Sequence, residues 1–230
     1  MKRNFCLLSV LLLSLCLYTN AFAQKKVSIL GDSYSTYGGY VSPSVNICWY
    51  DAEVGGKNAQ NDVRHVEETW WYRLIKENGY QLERNNSFSG ATVCCTGYDK
   101  NDYSDRAFIT RMYNLGRPDV IFIFGGTNDS WAGAPIGEYQ YSDWSKEDLY
   151  QFRPAFCFLL DSLIKLYPEA TIYNITNSEL SAEVTSSMAE ICRHYNVQNI
   201  LLHDVEKQSG HPSVAGMKSI CEQVASVACK

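Results

Sequence analysis

The chain has 230 residues, with 20 Lys and Arg against 25 Asp and Glu, for a formal charge of −5 at pH 7. An acidic balance with no basic cluster excludes nucleic acid as the partner. The length suffices for one domain with a sizeable core, and neither an internal repeat nor a low-complexity tract interrupts it.

Lys2 and Arg3 precede an apolar stretch from Phe5 to Leu17, and Ala21-Phe22-Ala23 supplies a small-x-small cleavage site. Residues 1–23 therefore read as a secretory signal peptide and 24–230 as the mature domain, periplasmic or secreted. The apolar stretch is too short to span a bilayer comfortably and no later segment is long enough. A lipid anchor on Cys16 is disfavoured by Leu15, where a small residue is needed, so no membrane anchor is expected after cleavage. Loss of 23 residues leaves 207, and loss of Lys2 and Arg3 takes the formal charge from −5 to −7. Without Cys6 and Cys16, seven of nine cysteines remain; an odd number leaves at least one thiol free or paired between chains. Cys94-Cys95 reads as two small buried side chains near a turn. No CxxC or HExxH spacing occurs, so no metal is expected.

Val27-Ser28-Ile29-Leu30 is a short β-branched, apolar run that breaks abruptly into Gly31-Asp32-Ser33, as a buried strand breaks into a turn. Residues 34–66 show no periodicity and carry Tyr34, Tyr37, Tyr40, Trp49 and Tyr50; segments of that length are commonly functional loops or lids. A helix is expected over 67–78, closed by Gly79, and a strand over 80–87 that runs into Phe88-Ser89-Gly90. A further helix over 106–115 stops at Gly116 and Pro118. Val120-Ile121-Phe122-Ile123-Phe124 is apolar on both faces, as a central parallel strand is, and ends in Gly125-Gly126-Thr127-Asn128-Asp129. A second aromatic loop follows with Trp131, Tyr139, Tyr141 and Trp144. Next come a long helix over 146–167, with Pro154 marking a kink or its true start, a strand over 171–176, a helix over 179–195, a strand over 199–204 and a closing helix over 214–227 capped by Ser213. Alternating strands and helices give an α/β fold: a three-layer α/β/α sandwich with a five-stranded parallel sheet in flavodoxin-like order.

In such a sheet, chemistry sits beyond the carboxyl ends of the strands. A serine hydroxyl needs a base to take its proton and donors to hold the oxyanion, and each part stands at a strand exit. Ser33 is the hydroxyl, backbone N–H groups at Ser33 and Gly90 can approach an oxygen closely, Asn128 offers a side-chain amide, and His211 lies in a strand-to-helix junction. Each has a plainer alternative as a turn or cap residue; their co-occurrence in order carries the argument. His65, His194 and His203 read as solvated or structural.

The chain resembles the SGNH (GDSL-type) hydrolase superfamily in four ordered blocks spanning most of the mature chain. These are Gly31-Asp32-Ser33, Asn86-Ser87-Phe88-Ser89-Gly90, Gly126-Thr127-Asn128-Asp129 and His211-Pro212. The resemblance implies Ser33 as nucleophile, His211 as general base and then acid, and Ser33 N–H, Gly90 N–H and Asn128 as the oxyanion hole, with no cofactor. One departure stands out: the family's Asp three residues before the histidine is Gln208 here. The imidazole is then held by a backbone carbonyl or Gln208 in a Ser–His dyad, with Asp204 and Asp129 as alternative third members. The Gly-x-Ser-x-Gly elbow is absent, since Ser35 replaces its last glycine.

Both aromatic loops are expected to flank one cleft, with Tyr34, Trp49 and Trp131 presenting flat faces to a sugar. The expected substrate is a carbohydrate ester, an O-acetyl group. A lipid or short-chain acyl ester is the alternative, and a non-catalytic carbohydrate-binding protein that retains the fold is the reading from another class.

Overall fold

A computed structural model describes residues 24–52 and 59–229; the expected leader, residues 1–23, lies outside them. Five strands, β1 (Lys26–Gly31), β2 (Gln81–Asn85), β3 (Val120–Gly125), β4 (Thr171–Thr176) and β5 (Gln198–Leu201), form one parallel sheet. Their order, β2-β1-β3-β4-β5, is the flavodoxin-like arrangement expected from the alternating pattern.

The period-2 alternation of the central strands feeds two cores. Ile121 and Ile123 of β3 face one layer, and Val120, Phe122 and Phe124 face the other. The first layer is built on α2 (Phe108–Arg111), α4 (Phe152–Leu166) and α5 (Ala182–His194), the second on α1 (Trp70–Glu77) and α6 (Val214–Ala228). Both faces of the sheet are thus covered, which is why its middle strand can be uniformly apolar. None of the described helices is long and apolar enough to cross a membrane.

The sequence pattern overran several elements. The helix expected over 67–78 begins as a single 3-10 turn at Val66–Glu68 before α1, and Gly79 follows it with φ +66°. The helix expected over 106–115 shrinks to one turn, and the one expected over 146–167 starts at Phe152, placing Pro154 in its first turn, where a missing N–H costs nothing. Ser213 caps α6 as expected, its hydroxyl accepting from Gly216 N–H at 3.1 Å. Two elements were not foreseen: α3 (Thr127–Ala132) and a small hairpin of β6 (Lys207–Gln208) and β7 (His211–Pro212).

The second aromatic loop divides: Trp131 meets Tyr34 of the first loop at 6.5 Å, while the rest lies elsewhere. Tyr141 stacks on His194 of α5 at 3.8 Å and Trp144 packs against Phe158 of α4, so most of the second loop serves the outer helices. In the first loop Tyr34, Tyr37 and Tyr50 are buried and Tyr40 packs on Trp71. The seven described cysteines are all free thiols. Cys94 and Cys95 are buried, and burial pushes the Cys95 thiol up to about 11.

Candidate active site

Ser33, Gly90 and Asn128 lie just past the carboxyl ends of β1, β2 and β3, three neighbouring strands. β1 ends because Asp32 leaves the sheet in an extended conformation and caps the single 3-10 turn Ser33–Ser35, its carboxylate accepting from Tyr34 N–H at 3.0 Å. Beyond β2, Phe88 N–H donates to Gly31 carbonyl at 3.1 Å, which lays the second block alongside the first. Gly90 adopts φ +82°, a conformation that strains any residue with a Cβ. Among the described residues neither Ser33 N–H nor Gly90 N–H has a partner.

Asn128 is buried in the first turn of α3. Its Nδ2 donates to the Ala91 carbonyl at 2.9 Å, and its Oδ1 accepts from the Tyr98 hydroxyl at 2.9 Å. Those two bonds fix which way the carboxamide points and leave the second Nδ2 hydrogen available. Tyr98 was missed in the sequence, where it is one more polar-loop aromatic with no periodic signal.

His211 arrives from a distant part of the chain on a two-residue hairpin. Gln208 pairs with His211, and the turn between them, Ser209-Gly210, has φ +50° and +75°. Positive φ at both central positions is the type I′ geometry, whose twist matches that of the flanking strands. Three side chains from the opposite end of the chain hold this hairpin. The Tyr34 hydroxyl donates to Gly210 carbonyl at 2.6 Å and the Tyr50 hydroxyl to Pro212 carbonyl at 2.9 Å. Asn61 Nδ2 spans the carbonyls of Gln208, His211 and Pro212 at 3.1 to 3.3 Å.

So held, His211 Nε2 lies 2.9 Å from Ser33 Oγ and Nδ1 lies 3.1 Å from the Ser209 carbonyl. A carbonyl only accepts, so Nδ1 carries the ring proton and Nε2 presents its lone pair to the serine hydroxyl. The tautomer is the one a proton acceptor requires. Burial drives the imidazole down from 6.5 to about 4, opposed by the hydrogen bond to Ser209.

Among the described residues no carboxylate occupies the third position. Asp204 turns outward, 95% exposed, and pairs with His203 Nδ1 at 3.0 Å. Asp129 is buried on the other side of Asn128, accepting from Val93 N–H at 2.8 Å and Cys94 N–H at 3.2 Å, and burial pushes it up to about 6. Gln208 contributes its backbone to the hairpin, while the ring proton goes to the residue after it. Of the open alternatives, the backbone carbonyl is the one within hydrogen-bond distance of Nδ1.

Of the aromatics expected to present faces, Tyr34 is corrected: it is fully buried with its hydroxyl spent on Gly210, a support for the hairpin. Trp49 lies flat on His211, with ring centroids 3.6 Å apart and planes 6° apart, so one of its faces is occupied. Trp131 meets the imidazole edge-on at 6.1 Å and remains 46% exposed. The assembly as a whole can deprotonate a hydroxyl and hold an oxyanion on two backbone N–H groups and an amide.

The family model of GDSL-like lipase/acylhydrolase matches residues 25–228. The chain is similar to a candidate GDSL-like lipase from Bacteroides uniformis ATCC 8492, at 69% identity and a TM-score of 0.87, covering 90% of this chain and 96% of that one. It is also similar to another from Bacteroides ovatus ATCC 8483, at 55% identity and a TM-score of 0.86, covering 89% and 97%. A family two carbohydrate esterase from Clostridium thermocellum, in complex with cellohexaose, shares the fold at 14% identity and a TM-score of 0.58, covering 88% of this chain and 62% of that one. No curated protein matches the chain.

Proposed function

Because the chain belongs to the GDSL-like lipase/acylhydrolase family and is an ester-hydrolysing enzyme, we propose that it removes O-acetyl groups from carbohydrates through a Ser33–His211 dyad. His211 Nε2 takes the Ser33 proton as Oγ attacks the ester carbon. The resulting oxyanion is held by the N–H groups of Ser33 and Gly90 and by Asn128 Nδ2. The imidazolium then protonates the departing sugar oxygen as its bond to the acyl carbon breaks, and a water deprotonated by the same ring attacks the acetyl-Ser33 and releases acetate. The observation that carries this reading is the 2.9 Å approach of Nε2 to Oγ with Nδ1 turned to a carbonyl.

Two facts favour a sugar. Trp131 offers an exposed indole beside His211, and a carbohydrate esterase shares the fold. One observation favours a lipid or longer acyl ester instead: Val45 and Ile47 are 82% and 42% exposed, and Ile47 carbonyl accepts from Ser89 N–H, next to Gly90. Labelling with a fluorophosphonate followed by peptide mapping tests the nucleophile, with Ser33 the expected adduct. Acetate release from acetylated oligosaccharides, with little turnover of octanoyl esters, is the expected substrate profile; the reverse preference overturns the sugar. The protein acts outside the cytoplasm in this proposal, and N-terminal sequencing of exported protein should begin at Gln24.

Two further outcomes are expected. Asp204→Asn and Gln208→Ala each leave kcat/KM within about twofold of the parent, since neither side chain serves the imidazole; a loss beyond about tenfold in either restores a conventional third member. The pH profile follows from the depressed imidazole. Below its pKa the ring is already protonated and cannot accept from Ser33, so the limb of kcat/KM set by His211 lies near pH 4, below any limb set by the buried Asp32 or Asp129. A His211 limb near 6.5 places the ring in an ordinary environment.

A further inference from the structure

A base of low proton affinity raises a question of charge. During acylation His211 becomes an imidazolium, and its second nitrogen faces the Ser209 carbonyl, with no carboxylate on it among the described residues. The rings around it are all neutral: Trp49 at 3.6 Å, Tyr34 at 5.3 Å, Trp131 at 6.1 Å and Tyr50 at 6.3 Å. Of these only Trp49 is parallel to the imidazole; the others meet it tilted or edge-on. An aromatic face carries the negative part of the ring quadrupole, and indole has the strongest such face among side chains.

We propose that Trp49 is a positioning residue that stabilises the His211 imidazolium through its indole face, doing by stacking what an anionic third member does by charge. This rests on the Ser33–His211 reading above. The stack is tied to the nucleophile by a short chain of bonds. The Trp49 backbone N–H donates to Thr36 Oγ1 at 2.9 Å, and the Thr36 hydroxyl donates to the Ser33 carbonyl at 2.9 Å. That bond ties the Trp49 backbone to the turn that carries Ser33, and the imidazole is held between that turn and the Ser209 carbonyl. The attraction grows as the ring gains its proton, so it favours the transition state over the resting dyad. The face pressed on His211 is not open to a sugar, which separates this role from substrate stacking.

Progressive fluorination of indole drains its face without changing its shape. The enzyme is produced with tryptophan, monofluoro-, difluoro- and trifluorotryptophan, and kcat is measured on 4-nitrophenyl acetate. A stepwise fall in log kcat is expected, with KM nearly constant. The same series in Trp49→Phe, which retains the other four tryptophans, is expected to be flat. Trp49→Leu, which keeps the imidazole covered, should lose about 5- to 30-fold in kcat, and Trp49→Phe should recover part of it. A flat series in the parent enzyme, an equal slope in the Trp49→Phe background, or a Leu variant as fast as Phe overturns the proposal. If fluorophosphonate fails to label Ser33, the dyad reading itself falls; if it labels Ser33 and the series is flat, only the role of Trp49 does.

Discussion

Ser33→Ala is expected to lower kcat/KM on any ester substrate by about 10⁴- to 10⁶-fold while leaving the melting temperature within a few degrees of the parent. Ser33 is buried, and its hydroxyl is given no structural partner other than His211. Removing it deletes the group that forms the acyl-enzyme and little else. His211→Ala should fall into the same range, because the two side chains act as one unit and their losses do not add. Asn128→Ala should cost less, about 10²- to 10³-fold, since the backbone donors at Ser33 and Gly90 remain. Steady-state kinetics on all three, with circular dichroism as the control for folding, checks the order. A Ser33→Ala enzyme with more than a hundredth of parental activity removes the nucleophile from the mechanism.

The second large effect is on stability. Arg111→Met should destabilise the fold by about 3 to 5 kcal/mol, and lower the melting temperature by roughly 10 °C. Arg111 is buried beneath the site, where Nε donates to the Arg106 carbonyl at 2.7 Å, Nη2 to the Gly31 carbonyl at 3.1 Å, and Nη1 to the Asn86 carbonyl. Gly31 and Asn86 belong to the first two sequence blocks, so one guanidinium ties the Ser33 turn to the Gly90 segment. Burial brings Arg111 down to about 9 and pushes Asp32 up to about 7, each favouring the other's charged form. Methionine fills the volume but leaves three carbonyls without that donor and the buried Asp32 carboxylate without the nearby positive charge. Arg111→Lys keeps the charge and loses the planar fork, so it should fall between the two. Urea unfolding of the three proteins measures the difference, and a Met variant within 1 kcal/mol of the parent means the bonds contribute little.

Nothing in the sequence singled out Arg111. It sits in a stretch of helical pattern, and its value comes from carbonyls 25 and 80 residues away. The same holds for Tyr98, whose hydroxyl reaches Asn128 across 30 residues, and for Asn61, whose partners lie about 150 residues further on. α3 carries no helical signal in the sequence because its six residues are too few to show a period, and its glycine flanks, with φ +85° and +62°, look like turn residues.

The sheet and the places where chemistry begins are legible along the chain. Apolar runs at Val27–Leu30 and Val120–Phe124 are buried on both faces and must be central parallel strands. Their abrupt ends put Ser33 and Asn128 on one edge of the sheet, because parallel strands share a direction. What His211 leans on is set by segments far apart in the chain. Whether Gln208, Asp204, Asp129 or a carbonyl receives its ring proton depends on the two positive φ angles of the Ser209-Gly210 turn. It depends equally on the hydroxyls and amide that clamp the hairpin from the first loop. Strand patterns are local and repeat every two residues, so they can be read along the chain. A hydrogen bond at 3.1 Å is set by contacts between segments that meet only once the sheet has formed.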